Sequence, residues 1–208
     1  MLSPILDFSR RDPKKGTLFD TRDGQSYPVI RINNQIWLAE NFRYLPSIEK
    51  GDEFCNSWIS DNSYLDKGYG RFYDWNTARN IALEGWRLPS NEDFQELRDF
   101  IIKDNSIFSH EVGSYLKSIN GWELRVGVVN TDKYEFNAKP AGYHSGIDFD
   151  KLYQSYYSVE SSMYLWSDTE YNSSNADSWC LHFFSEGFYY SRCNNKENGF
   201  SVRLIKDS

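Results

Sequence analysis

Hydrophobic and polar positions alternate in short runs towards both ends of this chain and take helical spacing in two places between them. The tract TLFDTRDGQSYPVIRINNQIWLAEN carries β-rich runs separated by Asp23-Gly24 and Asn33-Asn34, which predicts a small antiparallel meander. Residues 45–70 sustain no period and are rich in Gly, Asp, Ser and Asn, which predicts loop. Two helices follow. The first spans roughly residues 75–83 and stops at Gly85, a residue suited to a left-handed cap. In the second, Ser90 stands ahead of Asn91, Glu92 and Asp93, an N-cap hydroxyl followed by acids that complement the positive helix end. Phe94, Leu97, Phe100 and Ile101 then recur at helical spacing, so one face of this helix docks on a sheet.

Residues 105–163 are long and irregular, interrupted by Gly113, Gly121, Gly127, Pro140, Gly142 and Gly146. An irregular stretch of that length belongs in a compact domain when it builds a functional surface. Three strand-like tracts close the chain: YLWSDTE, DSWCLHFFSEGFYYSRC and GFSVRLIKD. The middle one folds back on itself if Glu186-Gly187 forms a two-residue turn. Trp37, Trp75, Trp86, Leu88, Phe94, Leu97, Trp166 and Phe200 are the expected core, with Glu40 and Asn41 satisfying loop backbone beside it.

A length of 208 residues fits one domain, here 16–208 behind an N-terminal extension of residues 1–15. Aromatic residues make up 17% of the chain, which favours strands over a helical bundle. Acidic residues outnumber basic ones by 30 to 23 without a Lys/Arg cluster, which argues against a nucleic-acid partner. Residues 1–15 fit neither a secretory signal nor a membrane span, so no membrane insertion is expected. Cys55, Cys180 and Cys193 are an odd number and cannot form a closed disulfide framework. A cytoplasmic, virion or surface-associated location follows as the expectation.

Five landmarks in order, IWLAENFRY, YGRFYDWNTARNIALEGWRLPSNEDFQEL, FNAKPAGYHSG, YLWSDTE and GFSVRLIKD, resemble the Fibrobacter succinogenes major paralogous domain family across about residues 16–207. The resemblance implies an α+β, C-type-lectin-like fold: small antiparallel sheets, two flanking helices, paired first and last strands, and a long irregular region forming the ligand face. It implies no known reaction, and fold cannot stand in for function. Many family members carry a cysteine just before the Glu-Gly-Trp tract and another in the last strand. Here those places are Ala82 and Leu204, so the implied disulfide is missing both halves.

Candidate chemistry concentrates in residues 164–199. A turn at Glu186-Gly187 would oppose Cys180 and Cys193 across the hairpin with His182 nearby, allowing a disulfide or a soft metal site. Formylglycine-generating enzymes, which the implied fold resembles, use a cysteine pair in their C-terminal half, so a redox or metal-binding enzyme is one alternative reading. A structural protein of a surface or virion assembly is another. No sugar-bridging Ca²⁺ triplet is present, and Asp148 and Asp150, with Asp23, Asp52, Asp61 and Asp66 in loops, are the only carboxylates offered to a structural Ca²⁺; no cofactor is expected otherwise. His110, His144 and His182 lack metal spacing.

The preferred reading is a non-catalytic binding module for a protein or glycan ligand. Its expected contacts are Tyr171, Asn172, Asn175, Asp177, His182, Phe184, Phe188, Tyr190, Arg192 and Asn194, together with the loop at residues 137–157. Rigid aromatics interleaved with small hydrogen-bonding residues are the chemistry of a paratope. By alternation His182, Phe184, Phe188, Tyr190 and Arg192 would share one face of the hairpin. In composition and position the segment also resembles that of variable proteins of diversity-generating retroelements.

Overall fold

A computed structural model describes residues 3–59, 62–146 and 156–207. The chain begins with β1 (Ile5–Phe8), β2 (Lys15–Phe19), β3 (Ser26–Ile32) and β4 (Gln35–Leu38), joined as an antiparallel meander. Both expected turns are there, with Gly24 and Asn33 at positive φ. In β3, Tyr27 and Val29 pack on one side into the cluster around Trp75, Ile30 and Ile32 pack on the other into the cluster around Phe94, and Ser26, Pro28 and Arg31 are exposed.

Next come β5 (Ser57–Trp58), α1 (Asn62–Asp66), β6 (Phe72–Tyr73), α2 (Trp75–Asn80) and β7 (Trp86–Arg87). The first of the two expected helices is therefore shorter than the spacing predicted. Asp74 caps it by accepting from the Thr77 amide at 2.7 Å. The second, α3 (Asn91–Asn105), carries the predicted cap in full: Ser90 accepts from the Asp93 amide and Asp93 accepts from the Ser90 amide. Arg87 adds an ion pair to Asp93, which holds that carboxyl below its ordinary range against the opposing effect of burial.

After α3 come a 3-10 segment (Ser109–Tyr115) and the irregular region, then β8 (Tyr143–His144), β9 (Tyr156–Tyr157), β10 (Ser162–Glu170), β11 (Asn175–His182), β12 (Tyr189–Asn195), β13 (Phe200–Ser201) and β14 (Ile205–Lys206). The strands make one sheet in the order β1-β2-β3-β4-β14-β7, a second in the order β12-β11-β10-β13-β6-β5, and a β8-β9 ribbon. Among the described residues, pairing is antiparallel apart from β10 with β13 and two isolated bridges, Lys117 with Ala138 and Gly142 with Met163. The result is a mixed α/β protein of antiparallel sheets with α2 and α3 packed on them.

Two expectations change. Residues 5–8 of the expected N-terminal extension add an edge strand to the first sheet, where Leu6 and Phe8 pack on the core and the Arg31 guanidinium lies over the Phe8 ring. The last strand also does not pair with the first. It inserts between β4 and β7, with Ile205 opposite both Trp37 and Arg87. All eight expected core residues are buried. Ala82 and Leu204, the positions where the resemblance implies a disulfide in other members, both join the apolar cluster around Trp75 and Trp86.

A buried cation ties this architecture together. Arg203, fully buried just before β14, donates from Nε to Asn41 Oδ1 at 2.7 Å and from Nη1 to the Leu38 carbonyl at 3.0 Å. It also donates to the Phe136 carbonyl, and from Nη2 to the Asn137 carbonyl at 2.8 Å, with its guanidinium over the Phe136 ring. The exit of β4, the approach to β14 and the irregular region thus share one planar donor set. Burial draws the Arg203 pKa down to about 9. Replacing it would leave several buried acceptors without partners. Arg203→Leu should therefore lose roughly 3–5 kcal/mol, the range for breaking a buried charged network. The check is urea denaturation; an unfolding free energy within about 0.5 kcal/mol of wild type would show that the irregular region is held by packing alone.

Candidate functional site

The C-terminal hairpin differs from its expected form. β11 and β12 are joined by residues 183–188 rather than by a two-residue turn, and Cys180 lies opposite Tyr189. Cys193 sits in a bulge at φ 64°, its amide donating to Asp177 Oδ1 at 3.4 Å. The two thiols are not opposed, and both are free. The cause lies outside the hairpin. Phe188 turns into the core against Trp179 and Phe94, and the connection is drawn onto the 3-10 segment, where the Ser114 amide donates to the Glu186 carbonyl. Backbones meet so closely there that a Cβ on Gly113 would lie 2.3 Å from the Gly187 carbonyl oxygen. Buried Lys117 completes the anchorage by donating to the carbonyls of His182 and Ser185.

This shifted register splits the expected contacts between two faces. Trp179, Asp177, Phe188, Tyr190 and Arg192 lie on the α3 side, whereas His182 lies on the other with Cys180 and Tyr189. The expected single face of His182, Phe184, Phe188, Tyr190 and Arg192 does not form.

On the α3 side the organising group is Asp177, which is 3% exposed and therefore no contact residue. It accepts from Asn91 Nδ2 at 2.9 Å, from the Tyr190 hydroxyl at 2.6 Å and from the Cys193 amide. Asn91 in turn accepts from Trp179 Nε1 at 3.2 Å. The helix start, the sheet and the edge strand are thus joined through one carboxylate, which fixes the Tyr190 ring while leaving it 44% exposed. Slight burial and the bond to Asp177 raise the Tyr190 pKa. Phe188, at 2% exposed, is likewise core rather than contact.

Further along, the Arg192 guanidinium lies 4.7 Å from the centroid of exposed Tyr171. Asn172 accepts from the amides of Ser174 and Asn175 and from Asn175 Nδ2, which closes the β10–β11 turn. Asn194 Nδ2 donates to Ser178 Oγ and to the Ser191 carbonyl, which holds the bulge. Asn172, Asn175 and Asn194 are therefore shaping residues first.

On the other face, His182 stacks on exposed Phe184, lies near Tyr164 and Tyr189, and shares a 2.9 Å hydrogen bond with Ser162 Oγ. Burial and nearby Lys117 lower its pKa. A serine beside a neutral imidazole has the outline of a nucleophile and base. Here, however, the pair is the cross-strand register partnership of β10 and β11, and the hydroxyl is buried. Burial also pushes the Cys180 thiol up to about 12, the reverse of what a nucleophile needs.

Of the loop expected at residues 137–157, Tyr143 stacks on half-exposed Tyr157 and contacts Tyr164, which extends the aromatic surface. Residues 147–155, Asp148 and Asp150 among them, lie outside the described residues, as does Asp61. Asp23 instead binds Gln25, and Asp52 accepts from the Ser47 amide and the Tyr44 hydroxyl. Among the described residues no group of three or more His, Cys, Asp or Glu side chains is arranged for a metal, and no helix is long and apolar enough to cross a membrane. Sequence reasoning passed over Asn91, Trp179 and Lys117. For Trp179 the signal was its alternation with Asp177 and Leu181.

Residues 30–206 match the family model described as Fibrobacter succinogenes major domain, and the chain belongs to that family. Comparison with curated proteins and with solved structures returned no match.

Two measurements test this geometry. In native protein exposed Cys193 should react readily with a thiol reagent at neutral pH, whereas Cys180 should react only on unfolding; equal rates would contradict the register. Burial lowers the Lys117 pKa to about 8 from the ordinary 10.5. Between those values the unfolded chain binds the proton and the native one does not, so this group makes stability rise with pH over that window. Comparing the pH dependence of urea midpoints for wild type and Lys117→Met isolates the effect, since the opposing Cys180 titration is common to both. Wild type should gain on the variant from about pH 8 to 10.5, and parallel profiles would refute the assignment.

Proposed function

We propose that this member of the Fibrobacter succinogenes major domain family is a non-catalytic recognition module with a C-type-lectin-like fold, binding a protein or glycan ligand through its C-terminal hairpin. One observation carries the reading. Exposed aromatic rings on the hairpin and on the adjoining β10–β11 turn are held in place by partners beneath or beside them: Tyr190 by Asp177, Tyr171 by Arg192, Phe184 by His182 and Tyr189 by the Ser185 hydroxyl. All four rings are 39–48% exposed, so each presents area while its orientation is already set. Rings ordered in advance lose little entropy on binding, which is the chief cost a recognition surface has to offset.

The chemistry around these rings supports binding over turnover. The buried thiol has a raised pKa, the Ser162 hydroxyl is buried, and Asp177 is fully engaged by donors. The cysteine-pair reading loses its basis in the register, since Cys180 and Cys193 face different partners.

Glycan and protein arrays probed with the purified chain provide the test. A triple variant, Tyr171→Ala, Tyr190→Ala and Arg192→Ala, should weaken any array signal at least about tenfold, the scale of a lost hot spot. Its stability should fall by only about 1 kcal/mol, for the lost Tyr190–Asp177 bond, or ~2–4 °C in Tm. Retention of the full signal would remove this surface from the reading, and a global loss of fold would make these residues core.

A further inference from the structure

Where the first turns of α3 pass the hairpin, a cleft of about 330 Å³ opens, lined by Asn91, Glu92, Gln95, Arg98, Trp179 and Tyr190. That volume is at the small end of ligand pockets, which run ~300–1,000 Å³. Most of its polar groups have assigned partners. Asn91 is held between Asp177 and Trp179, the Tyr190 hydroxyl is given to Asp177, and Gln95 Nε2 donates to Asp99 at 2.7 Å. Arg98 is less completely paired. Its guanidinium lies 5.4 Å from the Trp179 ring centroid, and its buried Nε has no hydrogen-bond partner among the described residues, only a 3.7 Å ion pair to Asp99. Nε itself is closed off from solvent, so it is the rest of the Arg98 side chain, 25% exposed and lining the cleft, that is open to a ligand acceptor.

We infer that this cleft is a binding site for an uncharged sugar ring, an inference that rests on the recognition reading above and names its ligand class. Charge gives anions no advantage. The two cations near the cleft, Arg98 and Arg192, are matched by carboxylates: Glu92 stands at the same wall, Asp99 pairs with Arg98 and Asp177 lies beneath Tyr190. Hydroxyl groups both donate and accept, and the wall offers both complements: Arg98 as donor, Glu92 and the Gln95 carbonyl oxygen as acceptors. The half-exposed Tyr190 ring, backed by Trp179 at 5.9 Å, supplies the flat apolar surface on which the C–H face of a pyranose packs. Trp179 and Asp177 therefore shape the site from below, and the sugar touches Tyr190, Arg98, Gln95 and Glu92.

The test follows the Trp179 indole N–H and the Arg98 Nε–H by NMR while the isotopically labelled full chain is titrated with methyl glycosides. Glucose, galactose, mannose and N-acetylglucosamine glycosides are the neutral set, glucuronate the anionic comparison, each taken well above a millimolar Kd. At least one neutral glycoside should shift both resonances in a saturable way. Arg98→Met keeps an aliphatic stem over Trp179 and should weaken that binding about tenfold, whereas Tyr190→Phe, which keeps the ring, should change it less than about threefold. Thermal melts of both variants show that they remain folded. A neutral set that leaves both resonances unmoved overturns the inference, as does a response to glucuronate alone. A glycoside that shifts the His182 ring but not the Trp179 indole overturns the cleft assignment and leaves the recognition reading standing. That broader reading falls only if the glycan and protein arrays are also silent.

Discussion

The Arg203 guanidinium is the constraint on which the irregular region of this protein depends. Just over a quarter of the chain, residues 106–161, lies between α3 and β10, and such a stretch cannot satisfy its own backbone as a helix or a wide sheet does. A planar cation with donors pointing in several directions solves the problem locally, by collecting carbonyls from Leu38, Phe136 and Asn137 that belong to no common ladder. The Asn41 side chain fills a further position and passes the connection on to the Tyr69 carbonyl, which brings the loop before β6 into the same arrangement. Desolvating a cation this completely is costly, so the arrangement holds only while every acceptor is present.

Lys117 repeats the principle at smaller scale beneath the hairpin connection, and Asp177 repeats it with the opposite sign beneath the hairpin itself. In each case one buried charged or ionisable side chain organises backbone that secondary structure leaves unpaired. The surface above is then free to carry residues chosen for contact rather than for folding. This division of labour explains why neighbours in sequence have opposite roles: Tyr190 projects while Phe188 fills the core, and Arg192 projects while Asn194 locks the bulge.

Legibility in the sequence followed the range of the deciding interaction. The start of α3 could be read from Ser90 and Asp93 because a capping box is settled within four residues. The meander could be read from Gly24, Asn33 and the alternation of β3 for the same reason. The Glu186-Gly187 turn misled because its outcome rests on Gly113 and Lys117, some seventy residues away, which draw the connection inward and move Cys180 out of register with Cys193. Arg203 and Asp177 could not be recognised as buried from their types, since charged residues are ordinarily exposed and only their unusual partners reverse that. The exposed members of the candidate surface, Tyr171, Phe184, Tyr190 and Arg192, were legible from composition; their division between two faces was not.

The bulge at Cys193 has a consequence beyond shaping. β12 is the outer strand of its sheet, and an outer strand rich in tyrosine invites another copy of the chain to pair with it. At Cys193 the backbone turns left-handed and its amide is captured by Asp177, while Asn194 engages the carbonyl of Ser191 within its own strand. The row of donors and acceptors that a second strand would need is thereby broken midway along its length. A chain built this way can display sticky aromatic side chains at high local density and still resist self-association into growing sheets.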